Sequence, residues 1–182
     1  SREPGVQGAA SLCSREERQM PEEILHLPGD QKPRHVFADQ LSFLGGDVRA
    51  KCKAKPQAAR HLIMASASLG CAWCVRRGAY CKAQRADLHV AGTPCVAHSS
   101  FGLRGGFDDP VNQVFYAWAL QRIALKEPHI SHENVEDFGE EVMTQLLGKW
   151  YSWTRVVVTP LELGWPTRRT RQFLHGRLRG LH

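Results

Sequence analysis

Two short strand-like runs separated by one well-punctuated helix constrain this fold most. Asp87-Leu88-His89-Val90-Ala91-Gly92 is an apolar run that ends in Thr93-Pro94-Cys95. A helix is expected over residues 110–127, because Asp109 can cap it and Pro110 fits the first helical position, where its missing N–H costs nothing. Val111, Val114, Phe115, Trp118 and Leu125 recur at helical spacing and mark one buried face. Pro128 ends the helix, and residues 129–135 form a second strand whose tip is Glu133-Asn134-Val135. A strand–helix–strand unit crosses over right-handed and sets two parallel strands side by side, with both C-terminal ends on one edge. Open α/β sheets bind their ligands at that edge. Cys95 and Glu133 are therefore expected to converge there, beside a polar, glycine-rich loop over residues 96–106. The alternative is a core cysteine and a strand-end acid with no common purpose.

The remaining pattern extends the same architecture. Strands are expected over residues 35–39, 61–65, 150–158 and 171–175, and helices over residues 47–55 and 136–147, closed by Pro56 and Gly148. Alternating strands and helices predict an α/β fold, a largely parallel sheet flanked by helices. Residues 1–34 mix Gly, Pro, Ser, Glu and Arg without periodicity and read as an irregular lead-in to a single domain over residues 35–182.

Charge and cysteine usage bear on partners. The net charge is +6, and Arg168, Arg169, Arg171, Arg177 and Arg179 crowd the C-terminal stretch. Such a cluster suits phosphate contacts, and equally a solvated tail. No run approaches the roughly 18 apolar residues of a membrane span, and the N-terminal residues contain no apolar stretch of secretory type. The expectation is an intracellular protein, nuclear in a eukaryote, with no membrane partner. The chain has six cysteines, expected to be reduced thiols in that setting. Cys71-x-x-Cys74 followed by Cys81 is part of a zinc signature, with a fourth ligand to come from Cys52, His61 or His89. The competing reading is small core residues and no metal.

Gly92-Thr93-Pro94-Cys95 with Ser99 and Gly102, then Glu133-Asn134-Val135, then Pro166-x-x-Arg169-x-Arg171 resemble the DNA (cytosine-5)-methyltransferase family, in the family's order and approximate spacing. The resemblance covers about residues 35–176 and implies a partial Rossmann-like methyltransferase domain. It also implies a covalent mechanism using S-adenosylmethionine. Cys95 would add to carbon 6 of a flipped cytosine and Glu133 would protonate ring nitrogen 3. Arg169 and Arg171 would bind the flipped nucleotide. Pro94, Ser99, Asn134 and Val135 would support the turn and its loop, with Asn134 orienting the loop around the Pro-Cys turn. Asp39 matches the acid that binds the cofactor's ribose, and a helix cap is its plain alternative.

The chain also departs from that family. The Phe-x-Gly-x-Gly cofactor loop has no counterpart before His35, and an acid expected near Ala65 is absent. Val96 and Thr167 stand where the family has glutamine, and Pro110 and Val111 follow Asp109 where an arginine is usual. No target-recognition region precedes His182. These departures predict an incomplete sheet and an incomplete catalytic half. The competing expectations are an RNA substrate in place of DNA, a non-catalytic basic nucleic-acid-binding module with zinc, or an inactive remnant of a methyltransferase. No protein partner is inferable.

Overall fold

The computed structural model describes residues 35, 37, 39–95, 97, 98, 106–167 and 169–180. The expected lead-in over residues 1–34, and Ser99 with most of the loop after Cys95, lie outside the described residues.

The predicted strand–helix–strand unit is present. β3 (Leu88–Gly92) and β4 (His129–Val135) pair in parallel, with α3 (Gln113–Leu125) between them in the chain. Asp109 caps the turn that enters α3, its Oδ1 accepting the Val111 N–H at 2.9 Å. The helix begins as a 3-10 turn over Pro110–Asn112 and leaves through Lys126, whose φ of 51° is left-handed. α3 buries more than the single face its apolar spacing suggests: Phe115 through Arg122 are all buried. Two earlier helices, α1 (Gly46–Ala54) and α2 (Ala59–Met64), supply Cys52, Ala59 and Ile63 to the core cluster that contains α3. The helix therefore runs through the core rather than over it. Its one interior cation, Arg122, meets Glu127 at 2.6 Å and donates to Gln121 Oε1 at 2.6 Å.

The main sheet is mixed, in the order β3-β4-β6-β5, where β5 is Tyr151–Val158 and β6 is Arg171–Leu178. β6 is antiparallel to both neighbours, so β3, β4 and β5 run one way and β6 is reversed between β4 and β5. β5 connects to β6 through residues 159–170, whose described part holds a 3-10 turn over Pro160–Leu163 and no crossover helix, and the two strands pair antiparallel. Ile130, His132 and Asn134 of β4 share a buried face with Gly176, Leu174 and Gln172 of β6. Only glycine fits at Gly176, since a Cβ there would lie 2.7 Å from the Trp153 ring and 2.8 Å from Ile130. α4 (Glu140–Leu147) adds Val142, Met143 and Leu147 to the same core.

Two expected strands are corrected. Residues 61–64 belong to α2 and Ala65 is its C-cap; Ala59 and Ile63, one helical turn apart, are both buried. Periodicity alone cannot separate a short buried strand from a buried helical turn. Of the expected strand over residues 35–39, the described residues 35, 37 and 39 contribute one isolated bridge, Phe37 to Cys74. The cysteine-rich connection is itself ordered as an antiparallel hairpin of β1 (Cys71–Cys74) and β2 (Ala79–Lys82), turning at Gly78 with φ of 57°. No helix among the described residues is long and apolar enough to cross a membrane.

Candidate active site

β3 delivers the Thr93-Pro94-Cys95 turn to the C-terminal edge of the sheet, and the register pairs Gly92 with Glu133. Cys95 lies three residues beyond Gly92, so its Cα is within about 11 Å of the Gly92 Cα even with the chain fully extended. The turn is tethered on both sides of Glu133. His132 Nε2 and Thr93 Oγ1 are 2.8 Å apart. Asn134 Nδ2 donates to the Thr93 carbonyl at 3.2 Å and approaches Thr93 Oγ1 at 3.4 Å. Successive strand residues face opposite ways, so His132 and Asn134 hold the turn from the buried face and Glu133 stands on the open face.

The Glu133 carboxylate has a defined setting. Arg171, at the start of β6, donates Nε to Glu133 Oε1 at 2.9 Å. Both side chains are part-exposed, so the pair orients the carboxylate more than it stabilises the fold. The other oxygen, Oε2, lies 3.1 Å from where a Gly92 Cβ would stand, so glycine leaves that oxygen its space. Arg171 also donates to the Thr170 carbonyl at 2.9 Å, which fixes its guanidinium. Arg169 is exposed, and the structure does not bring it to Glu133. Pro94 and Cys95 are half-buried, as is Val135, which closes β4. Cys95 O accepts from the His98 N–H at 2.9 Å, which turns the chain immediately after the thiol.

Histidines behind the turn form a support that motif spacing did not reveal. His132 is fully buried among Phe115, Trp118 and Phe138. Burial pushes its pKa down to about 4. His89 on β3 accepts from Trp118 Nε1 at 3.0 Å, and burial, then Arg122 and His132, push its pKa down to about 3. His98 packs on Phe107 and Phe138 and meets Asn112 Oδ1 at 3.3 Å. Burial lowers its pKa, against the opposing pull of Asn112 and Asp109. The legible signal was alternation: residues flanking a strand-tip acid must point into the core, so His132 and Asn134 had to be structural or positioning groups.

A cavity of about 360 Å3 lies between the α1 region and the start of α3, lined by Asp39, Arg49, Lys53, Pro110 and Gln113 among others. Asp39 caps the 3-10 turn Gln40–Phe43, its Oδ1 accepting the Leu41 N–H at 2.8 Å, and the residue also lines the cavity. Arg49 Nε, in the wall, is a buried donor without a hydrogen-bond partner. A ligand with acceptor groups and hydroxyls suits that wall chemically. Of the cysteine trio that is a zinc candidate beside the core reading, Cys74 and Cys81 come together and Cys71 does not. Cys71 and Cys74 are three apart in an extended strand and face opposite ways, and the group that does gather is His35, Cys74 and Cys81.

No family model and no curated protein matches this chain. Among solved structures it resembles the Entamoeba histolytica methyltransferase EhMeth at 23% identity, with a TM-score of 0.42 over 50% of this chain and 32% of that one. It also resembles the S. pombe Dnmt2 methyltransferase at 22% identity, with a TM-score of 0.41 over 53% of this chain and 32% of that one. The matched part spans about a third of the length of either methyltransferase.

Proposed function

We propose that this chain carries the catalytic strand pair of a cytosine-5 methyltransferase, with DNA as substrate and S-adenosylmethionine as methyl donor. The observation that carries the reading is the tethering of Thr93-Pro94-Cys95 to β4 on both sides of Glu133, with Arg171 holding one oxygen of that carboxylate. The motif resemblance assigns the roles, and the local geometry is compatible with them.

In this reading the Cys95 thiolate attacks carbon 6 of a cytosine turned out of its duplex, forming a carbon–sulfur bond. Glu133 protonates ring nitrogen 3 through Oε2, the oxygen Arg171 leaves available, and so offsets the charge that the addition drives into the ring. Bound S-adenosylmethionine supplies the methyl group that carbon 5 takes up. Loss of the carbon-5 proton to solvent then breaks the carbon–sulfur bond and returns the thiolate, while ring nitrogen 3 gives its proton back to Glu133. His132 and Asn134 keep the thiol-bearing turn in register with the carboxylate, and Arg169 with Arg171 offers cations to the nucleotide's phosphate. The cavity beside Asp39 fits the donor: the carboxylate suits vicinal hydroxyls, and Arg49 and Lys53 suit a carboxylate.

The test is trapping with an oligonucleotide containing 5-fluorocytosine in the presence of S-adenosylmethionine. A covalent adduct that vanishes in Cys95→Ser is expected. Folded protein that forms no adduct on DNA or RNA oligonucleotides would remove the covalent mechanism, and an adduct on RNA alone would reassign the substrate.

A further inference from the structure

The β1–β2 hairpin offers a site that the methyl-transfer reading does not use. A ring nitrogen of His35, Cys74 Sγ and Cys81 Sγ all lie within 4.8 Å of one another. Strand geometry selects these residues. Ala72 pairs with Cys81, so Cys81 projects to the same face of the hairpin as Ala72 and Cys74, both fully buried. Cys71 and Trp73 project the other way, where Trp73 packs edge-on against Tyr80 with ring centroids 5.6 Å apart. The third ligand comes from outside the hairpin. Phe37 bridges to Cys74, which brings His35 alongside, and the His35 ring stacks on Phe37 at 6.0 Å and 4°. His35 Nδ1 is buried without a hydrogen-bond partner, a costly state for a polar atom.

We propose that His35, Cys74 and Cys81 bind one zinc ion, with the fourth position of the tetrahedron held by water. Two thiolates and one neutral imidazole are common zinc ligands, and together they cancel the charge of the ion. Zinc–ligand bonds of about 2.0–2.3 Å require tetrahedral neighbours about 3.5–3.8 Å apart. The three atoms are therefore within about an ångström of that spacing, and small side-chain rotations close the difference. The ion would fasten the segment carrying Phe37 and Asp39 to the hairpin. That would fix one wall of the cavity that Asp39 lines, whether or not the chain transfers methyl groups.

The experiment is zinc and cobalt titration of the full chain, with cobalt reporting ligand type. Expected are one equivalent of zinc, a thiolate-to-cobalt charge-transfer band, and the visible bands of a tetrahedral ion. Cys81→Ser and His35→Ala should each weaken binding by at least about tenfold, as loss of a direct ligand must exceed loss of an outer-shell partner. Cys71→Ser should bind as the parent does. Cys74 is fully buried, so the Cys74→Ser chain is informative only if its circular dichroism matches the parent. The proposal fails if the reduced parent binds no stoichiometric metal, if His35→Ala binds like the parent, or if Cys71→Ser loses as much affinity as Cys81→Ser.

Discussion

β4 and β1 carry chemistry-bearing residues under the same rule and to opposite effect. In β4, period-two alternation separates Glu133 from His132 and Asn134, and the separation is useful: the acid faces outward while its neighbours pin the Pro-Cys turn from behind. In β1 the same alternation separates Cys71 from Cys74 and breaks the apparent Cys-x-x-Cys pair. The comparison teaches that sequence spacing assigns a site only once the backbone conformation is known. A gap of three joins two ligands across a tight turn and divides them along a strand.

The largest expected effect falls on the outward residue of β4. Glu133→Gln should cut the rate of adduct formation by about 10²–10⁴, the usual contribution of a positioned acid. Its urea midpoint should move little, because Glu133 and Arg171 are part-exposed. A large stability loss with unchanged trapping would reverse the roles given to the two faces of β4.

The inward side is broken next, by acid. His132 is held neutral with a pKa of about 4, and the same group in the unfolded chain titrates near 6.5. As pH falls below about 6.5 the unfolded chain takes up the proton first, so stability falls with pH and the loss levels off near pH 4. Linkage puts the loss from His132 at about 3 kcal/mol. His89, with a pKa of about 3, extends the trend further into acid. Urea unfolding between pH 8 and pH 4 reads this directly, and a flat profile across that range would contradict neutral burial of both rings.

Asn134→Ala removes a buried donor from the Thr93 carbonyl and should cost about 1–3 kcal/mol. It should also slow trapping although Cys95 and Glu133 are intact; unchanged trapping would show that the turn needs no tether from β4. The smallest effect sharpens the other half of the comparison. Cys71→Ser lies on the outward face of the hairpin and should change the unfolding free energy by no more than about 0.5 kcal/mol, as surface substitutions do. A larger loss would mean that Cys71 contacts the core after all.

Much of the fold was legible because it is written locally. Asp109 and Pro110 announce the start of α3, Pro128 its end, and the β-rich run through Val156, Val157 and Val158 is a strand in the structure. The short run His61-Leu62-Ile63-Met64 was not legible, since its apolar content suits either a strand or a helical turn and packing beside α3 selects the helix. Nor was the reversal of β6, which depends on how the turn after β5 returns the chain.

The sequence by itself determined which groups sit at the strand ends. The Pro-Cys turn, the Glu-Asn-Val tip and the late arginines are fixed by covalent order and by the strand–helix–strand crossover. Tertiary structure decided which of them meet. It sent Arg171 and not Arg169 to Glu133, exchanged Cys71 for His35 beside Cys74 and Cys81, and put His132 behind the turn. The reason is physical: register and facing are set by pairing between segments far apart in the chain, and spacing along one segment carries no record of that pairing.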